Sequence, residues 1–167
     1  MASLLEKVQR FVREQGWQCR YDAEKQRFSL PIRFAVWEGP SLFRVDVQDQ
    51  TVLFSVRYLF IFSAEHFAAA EKYIGVVQET GAFPGYFVLK KETGRVVYLM
   101  GMQVSESWDG LKEFTQKVFR IAGRYREIFA QLSEGKEPTA MLFKNCPPVR
   151  LKWSSLSAVS PPWRRKS

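Results

Sequence analysis

The stretch from residue 85 to residue 132 constrains the fold more than any other part of the chain. Tyr86 to Lys90 read as a strand, Lys91-Glu92-Thr93-Gly94 as a turn, and Arg95 to Val104 as a second strand. Gly94 is placed for the left-handed position of a short hairpin loop, where a side chain would be strained. A long amphipathic helix follows at once. Leu111, Phe114, Val118, Ile121, Tyr125, Ile128 and Leu132 recur at steps of 3, 4, 3, 4, 3, 4, which aligns seven apolar side chains on one helical face. Phe114 and Ile121 stand in the middle of that stripe and are expected in the core. Phe119, Ala122, Arg126 and Phe129 widen it, which leaves two uses open, packing on a sheet and a homodimer seam.

Upstream, Ser3 and Glu6 have the spacing of a capping box, Leu4, Leu5, Val8, Phe11 and Val12 share a face, and Gly16 stops the helix. Trp17, Cys19 and Tyr21 then alternate with polar residues at strand period, and Asp22 to Gln26 is polar enough to turn. A second strand carries Phe28, Leu30, Ile32, Phe34 and Val36, with Pro31 demanding an edge or a bulge because it has no N–H to give. After Gly39 and Pro40, a third strand carries Phe43, Val45 and Val47, and a fourth runs from Val52 through Phe54, Val56, Tyr58 and Phe60 to Phe62. From Leu59 to Phe62 both faces are apolar, so that end is expected to be covered on both sides. Ser63 is a candidate N-cap for a second helix bearing Phe67, Ala70, Ile74 and Val77 and closed by Gly81. The expected class is α+β, an antiparallel sheet with packed helices in the order α-β-β-β-β-α-β-β-α.

That order, with the hairpin Gly85-Tyr86-Phe87-Val88-Leu89-Lys90 and Gly94-Arg95-Val96-Val97-Tyr98-Leu99 running into a heptad-like helix, resembles the YbjN-like family. More broadly it is similar to proteins of the type III secretion chaperone-like fold, over about residues 3–133. The resemblance implies a curved antiparallel sheet carrying helices, frequent homodimers, and non-enzymatic work as a chaperone or regulator. It supplies no catalytic residues. The secretion chaperones tend to be acidic, and this chain at net +8 is not.

Reactive chemistry has little to be built from. His66 is the sole histidine, and with Cys19 and Cys146 the chain offers three Cys or His ligands in all, where a zinc site takes three or four. The cysteines, 127 positions apart, read as two reduced thiols. No glycine-rich phosphate loop occurs, and Lys90 to Arg95 is a charged hairpin tip in the wrong order for one. Asp46 and Asp49 flank a turn, and Glu106 and Asp109 open the long helix, positions that acids occupy for backbone reasons. No catalytic residue, metal or cofactor is expected. No basic segment followed by an apolar run opens the sequence. The longest uncharged apolar stretch, Tyr58 to Ala64, is far below the ~20 residues of a spanning helix, so a cytoplasmic location is expected.

Charge and proline divide the chain near Gly135. Residues 136–167 hold seven basic residues against one acid, a net +6, and five of the eight prolines, whereas residues 1–135 hold 18 basic and 16 acidic residues. We therefore expect a single α+β domain over 1–135 and a basic, Pro-rich tail over 136–167. The candidate partner anchors are Trp37, Trp108, Trp153 and Trp163, which fall off the cleanest core positions. In the tail, Lys144, Arg150, Lys152, Arg164, Arg165 and Lys166 interleave with aromatics, a pattern that can neutralise phosphates and stack on bases. The reading from sequence is a non-enzymatic binding module, chaperone-like or regulatory, acting by protein–protein contact. The alternative is a nucleic-acid-associated protein that binds through the tail.

Overall fold

The computed structural model describes residues 3–34, 39–81, 83–105 and 107–137. Its elements are α1 (Leu4–Glu14), β1 (Arg20–Asp22), β2 (Arg27–Ile32), β3 (Ser41–Gln48), β4 (Thr51–Arg57), α2 (Phe67–Thr80), β5 (Tyr86–Lys90), β6 (Arg95–Gln103) and α3 (Leu111–Ser133). Local chemistry sets most of their ends. The Ser3 hydroxyl accepts from the Glu6 amide at 3.2 Å, and the Glu6 carboxylate accepts from the Ser3 amide at 3.1 Å. Two otherwise orphaned donors are thereby satisfied, an arrangement that stabilises a helix by about 1 kcal/mol. Asp22 folds the β1–β2 turn by accepting from the amides of Glu24 and Lys25. Gly94 takes φ +72° in the β5–β6 hairpin, the left-handed conformation its position requires.

All six strands form one antiparallel sheet in the order β1-β2-β3-β4-β6-β5. Every pairing is antiparallel, and the register places Phe28, Val45, Phe54 and Met100 in one row and Leu30, Phe43, Val56, Tyr98 and Phe87 in the next. These rows face the helices. Phe43 meets Phe119 with ring centroids 4.7 Å apart, and Phe129 lies against Phe87 at 5.1 Å and Tyr58 at 5.7 Å. The buried residues of α1, α2 and α3 belong to the same hydrophobic cluster as these rows, so all three helices lie on one side of the sheet. Tyr58 is wholly buried, yet its hydroxyl donates to the Ala122 carbonyl, as that of Tyr98 does to the Pro84 carbonyl. Each phenol thus enters the core with its polar end satisfied.

Pro31 sits where the sheet can take it. β1 pairs only with Arg27 to Ser29, so β2 has a local edge at Pro31. Elsewhere the structure departs from the pattern in the sequence. The first strand begins at Arg20 rather than Trp17, because the Trp17 ring turns into the core against Phe11, Phe43 and Phe119. The fourth strand ends at Arg57. β3 begins at Ser41 and pairs Leu42 with Arg57, so among the described residues no strand pairs with Tyr58 and its successors on that side. They follow β6 alone, through Tyr58 N–H to Val96 O and Phe62 N–H to Gly94 O. Leu59 and Ile61 are therefore exposed instead of covered.

Ser63 does not cap α2; its hydroxyl meets Glu65, and a 3-10 turn over Ala64–His66 precedes the helix. Within α3 the inward face is centred beside the expected stripe. Thr115, Phe119, Ala122 and Phe129 are buried with the other six, whereas Phe114 is only half-buried against Trp108. The widened face is thus occupied by the protomer's own core.

Candidate functional site

Strand alternation that buries one set of side chains must present the other set on the opposite face. Three rows cross that outer face. One runs Arg27, Asp46, Leu53, Gly101; the second Ser29, Arg44, Ser55, Leu99, Tyr86; the third Pro31, Leu42, Arg57, Val97, Val88. No helix of the described residues packs on these rows, and none of Leu42, Leu53, Val88, Val97 or Leu99 joins the core cluster. Val97 is buried, and the other four are half-buried by their own neighbours.

The register also aligns four arginines. Arg27 on β2, Arg44 on β3, Arg57 on β4 and Arg95 on β6 each advance one strand and one row, a diagonal across four neighbouring strands. Its first member is paired: Arg27 makes a bidentate contact with Asp46, 2.6 Å from Nε and 3.0 Å from Nη2. That hydrogen bond holds the Arg27 guanidinium charged more firmly than usual. The last member is used locally. Arg95 Nη1 donates to the carbonyls of Tyr58 and Leu59 at 3.2 and 3.0 Å, which fastens the segment after β4.

The two middle arginines differ. The Nε atoms of Arg44 and Arg57 are shielded from solvent and have no acceptor among the described residues. Partial burial pushes both guanidinium pKa values down. Arg27 adds to that at Arg44, where Asp46 acts in the opposite sense, and Arg95 and Arg44 add to it at Arg57. The charged neighbours acting on Arg57 are therefore cations. In the register Arg57 stands between Leu42 and Val97, and Arg44 between Ser29 and Ser55; an arginine stem can cover apolar surface while its charge stays near water.

A cleft of about 450 Å³ lies between α1 and the β6–α3 connection, lined by Lys7, Arg10, Phe11, Trp108, Leu111 and Lys112 among others. Trp108 is half-buried there. Its ring packs edge-on to Phe114 at 5.7 Å, and its carbonyl accepts from Lys7 Nζ at 3.3 Å. Gly110 lies so close that a Cβ would stand 2.7 Å from the indole nitrogen. Trp108 is thus held by its own chain. Trp37, Trp153 and Trp163 lie outside the described residues, as do Lys144, Arg150, Lys152, Arg164, Arg165 and Lys166.

Of the other groups weighed for chemistry, Glu106 and Cys146 lie outside the described residues. Asp46 is held by Arg27, and Asp49 occupies the β3–β4 turn with φ +52°. His66 lies 3.5 Å from Glu65 and against Gly135 beyond α3. Cys19 is a free, half-buried thiol whose pKa burial raises. Among the described residues no group of three Cys, His, Asp or Glu could hold a metal, and no helix is long and apolar enough to cross a membrane.

No family model matches the chain, and neither does any curated protein. Among solved structures it is similar to YbjN from E. coli, described there as a proposed transcription regulator. The likeness is at 12% identity over 78% of this chain and 86% of that one, with a TM-score of 0.49.

Proposed function

We propose that the protein is a non-enzymatic binding module of the regulatory or chaperone-like kind, and that it works by protein–protein contact through the outer face of its sheet. The observation that supports this reading is the one-sided placement of the helices. A six-stranded sheet carries all three on one face and leaves aliphatic side chains and arginines on the other. An open face of an antiparallel sheet is ordinarily polar. Here Leu42, Leu53, Leu99 and Val88 stay partly exposed among Arg44, Ser55 and Arg57, and apolar surface rimmed by polar residues marks interaction sites. The test is affinity capture from native lysate with the full chain and with Leu53→Asn/Leu99→Asn, followed by mass spectrometry. A protein retained by the parent chain and lost from the variant is the expected result. Equal retention by both would remove the sheet face from the reading.

A further inference from the structure

We propose that the outer sheet face docks an acidic segment of a partner protein whose carboxylates meet Arg44 and Arg57 and whose aliphatic side chains settle between them; this rests on the binding reading above. Three observations select that occupant. The first is unmet hydrogen bonding. Two adjacent guanidiniums have shielded Nε donors without acceptors among the described residues, and the charged groups acting on Arg57 are Arg44 and Arg95. Carboxylates are the protein groups that match the planar fork of arginine.

The second observation is the kind of apolar surface. Tyr86 is the single aromatic residue in the three outer rows, and the rest of their apolar area comes from leucine, valine and proline. Single-stranded nucleic acid is held by successive aromatic platforms, which these rows lack. Aliphatic side chains of a peptide fit them better.

The third is charge. The chain's own residues 136–167 carry a net +6 and would be repelled by the arginine diagonal. A second copy docking through the same patch would set arginine against arginine across a two-fold axis. An acidic partner alone turns the diagonal from a liability into an attraction. Diagonal neighbours on a sheet lie ~7–8 Å apart, so four of them span ~23 Å. That is about seven residues of extended chain at ~3.3 Å each.

The probe is a fluorescein-labelled 12-residue peptide alternating Glu and Leu, titrated with the full chain and read by anisotropy. We expect saturable binding that weakens with salt and falls at least tenfold for Arg44→Met/Arg57→Met. Replacing every Glu of the peptide by Lys should abolish it. Met keeps the aliphatic stem, and an unchanged denaturation midpoint certifies that the double variant is folded. Absence of Glu–Leu binding, or equal binding by the double variant, overturns the proposal. So does tight binding of a 12-nucleotide oligothymidine or of a peptide spanning residues 138–167 that the double variant loses. A dimer in sedimentation equilibrium that the double variant loses overturns it as well. The lysate experiment separates this failure from that of the broader reading. A partner that the double variant still retains leaves protein binding standing and removes only the acidic occupant.

Discussion

On β4 a single strand faces two environments. Val52, Phe54 and Val56 are fully buried beneath α3, whereas Leu53, Ser55 and Arg57, between and beside them, stay half-exposed. The buried set is apolar throughout and meets aromatic rings, with Phe54 stacked 6.3 Å from Phe43. The outer set mixes leucine, serine and arginine, and the charges of Arg95 and Arg44 on neighbouring strands press on Arg57. Packing dictates the first set closely, because interiors are filled to crystal-like density. Nothing in the packing of the described residues asks for arginine at 44 or 57. The contrast separates what the fold requires from what it merely permits, and an arrangement that is permitted but costly is where function is best sought.

The largest test of that contrast is a pair of truncations. Phe43 is wholly buried among Phe54, Phe119 and Trp17. Phe43→Ala should cost about 3–5 kcal/mol, as aromatic-to-alanine changes in cores do. Leu53→Ala, one face over, should cost less, about 1–2 kcal/mol, because its side chain is only partly buried. Urea denaturation of both variants decides it. Similar costs would mean that the outer face is a second core, covered by something beyond the described residues.

How much of this could be read in the chain follows from the range of the interactions involved. The hairpin, the capping box and the α3 stripe are local, and each is legible because residues within a few positions decide it. The end of β4 was not legible. Tyr58 to Phe62 continue the alternation, but β3 starts at Ser41 and, among the described residues, no strand pairs with them on that side, a fact about register rather than sequence. Phe114 fits the helical period as well as Ile121 does, yet Trp108 meets it outside the core. The arginine diagonal needs still more. Arg27, Arg44, Arg57 and Arg95 each fall on the polar side of a readable strand. Their alignment requires three registers and the adjacency of β4 with β6, which skips β5. Trp108 falls off the clean core positions in the sequence, and the structure places it half-buried at the cleft beside α1, against Phe114.

A second test uses the inner face through pH. Burial pushes the hydroxyls of Tyr58 and Tyr98 well above the ordinary tyrosine range; Tyr73, Tyr98 and Tyr125 add to the effect at Tyr58. Both are raised in the folded state, so their contribution is complete below pH ~10, where the unfolded chain keeps its tyrosines neutral. Above it the unfolded chain ionises first, and stability falls by about 1.4 kcal/mol per pH unit for each such tyrosine. Denaturation midpoints between pH 9 and 11.5 should therefore drop steeply. Tyr98→Phe should make the slope shallower by one proton's worth. An unchanged slope would mean that Tyr98 is not shielded, and that the β5 side of the core admits water.

The smallest effect is the most informative about the outer face. Arg57 is half-buried, its shielded Nε has no acceptor among the described residues, and Arg95 and Arg44 press on its charge. Methionine keeps the stem that lies between Leu42 and Val97 and deletes the charge. If packing at 57 needs only the stem, Arg57→Met should change stability by no more than ~0.5 kcal/mol, on the stabilising side. Any gain should shrink as salt screens the neighbouring arginines, whose mutual repulsion acts within a Debye length of ~10 Å at 0.1 M. Urea midpoints of the parent and the variant at low and high salt provide the measurement. A loss above about 1 kcal/mol would show that the guanidinium holds the sheet together. The two faces would then differ in polarity but not in purpose, and Arg57 would be part of what the fold requires. A neutral or positive change at 57, beside the collapse expected at Phe43, would leave the guanidinium with no structural task on a strand whose other face tolerates almost nothing.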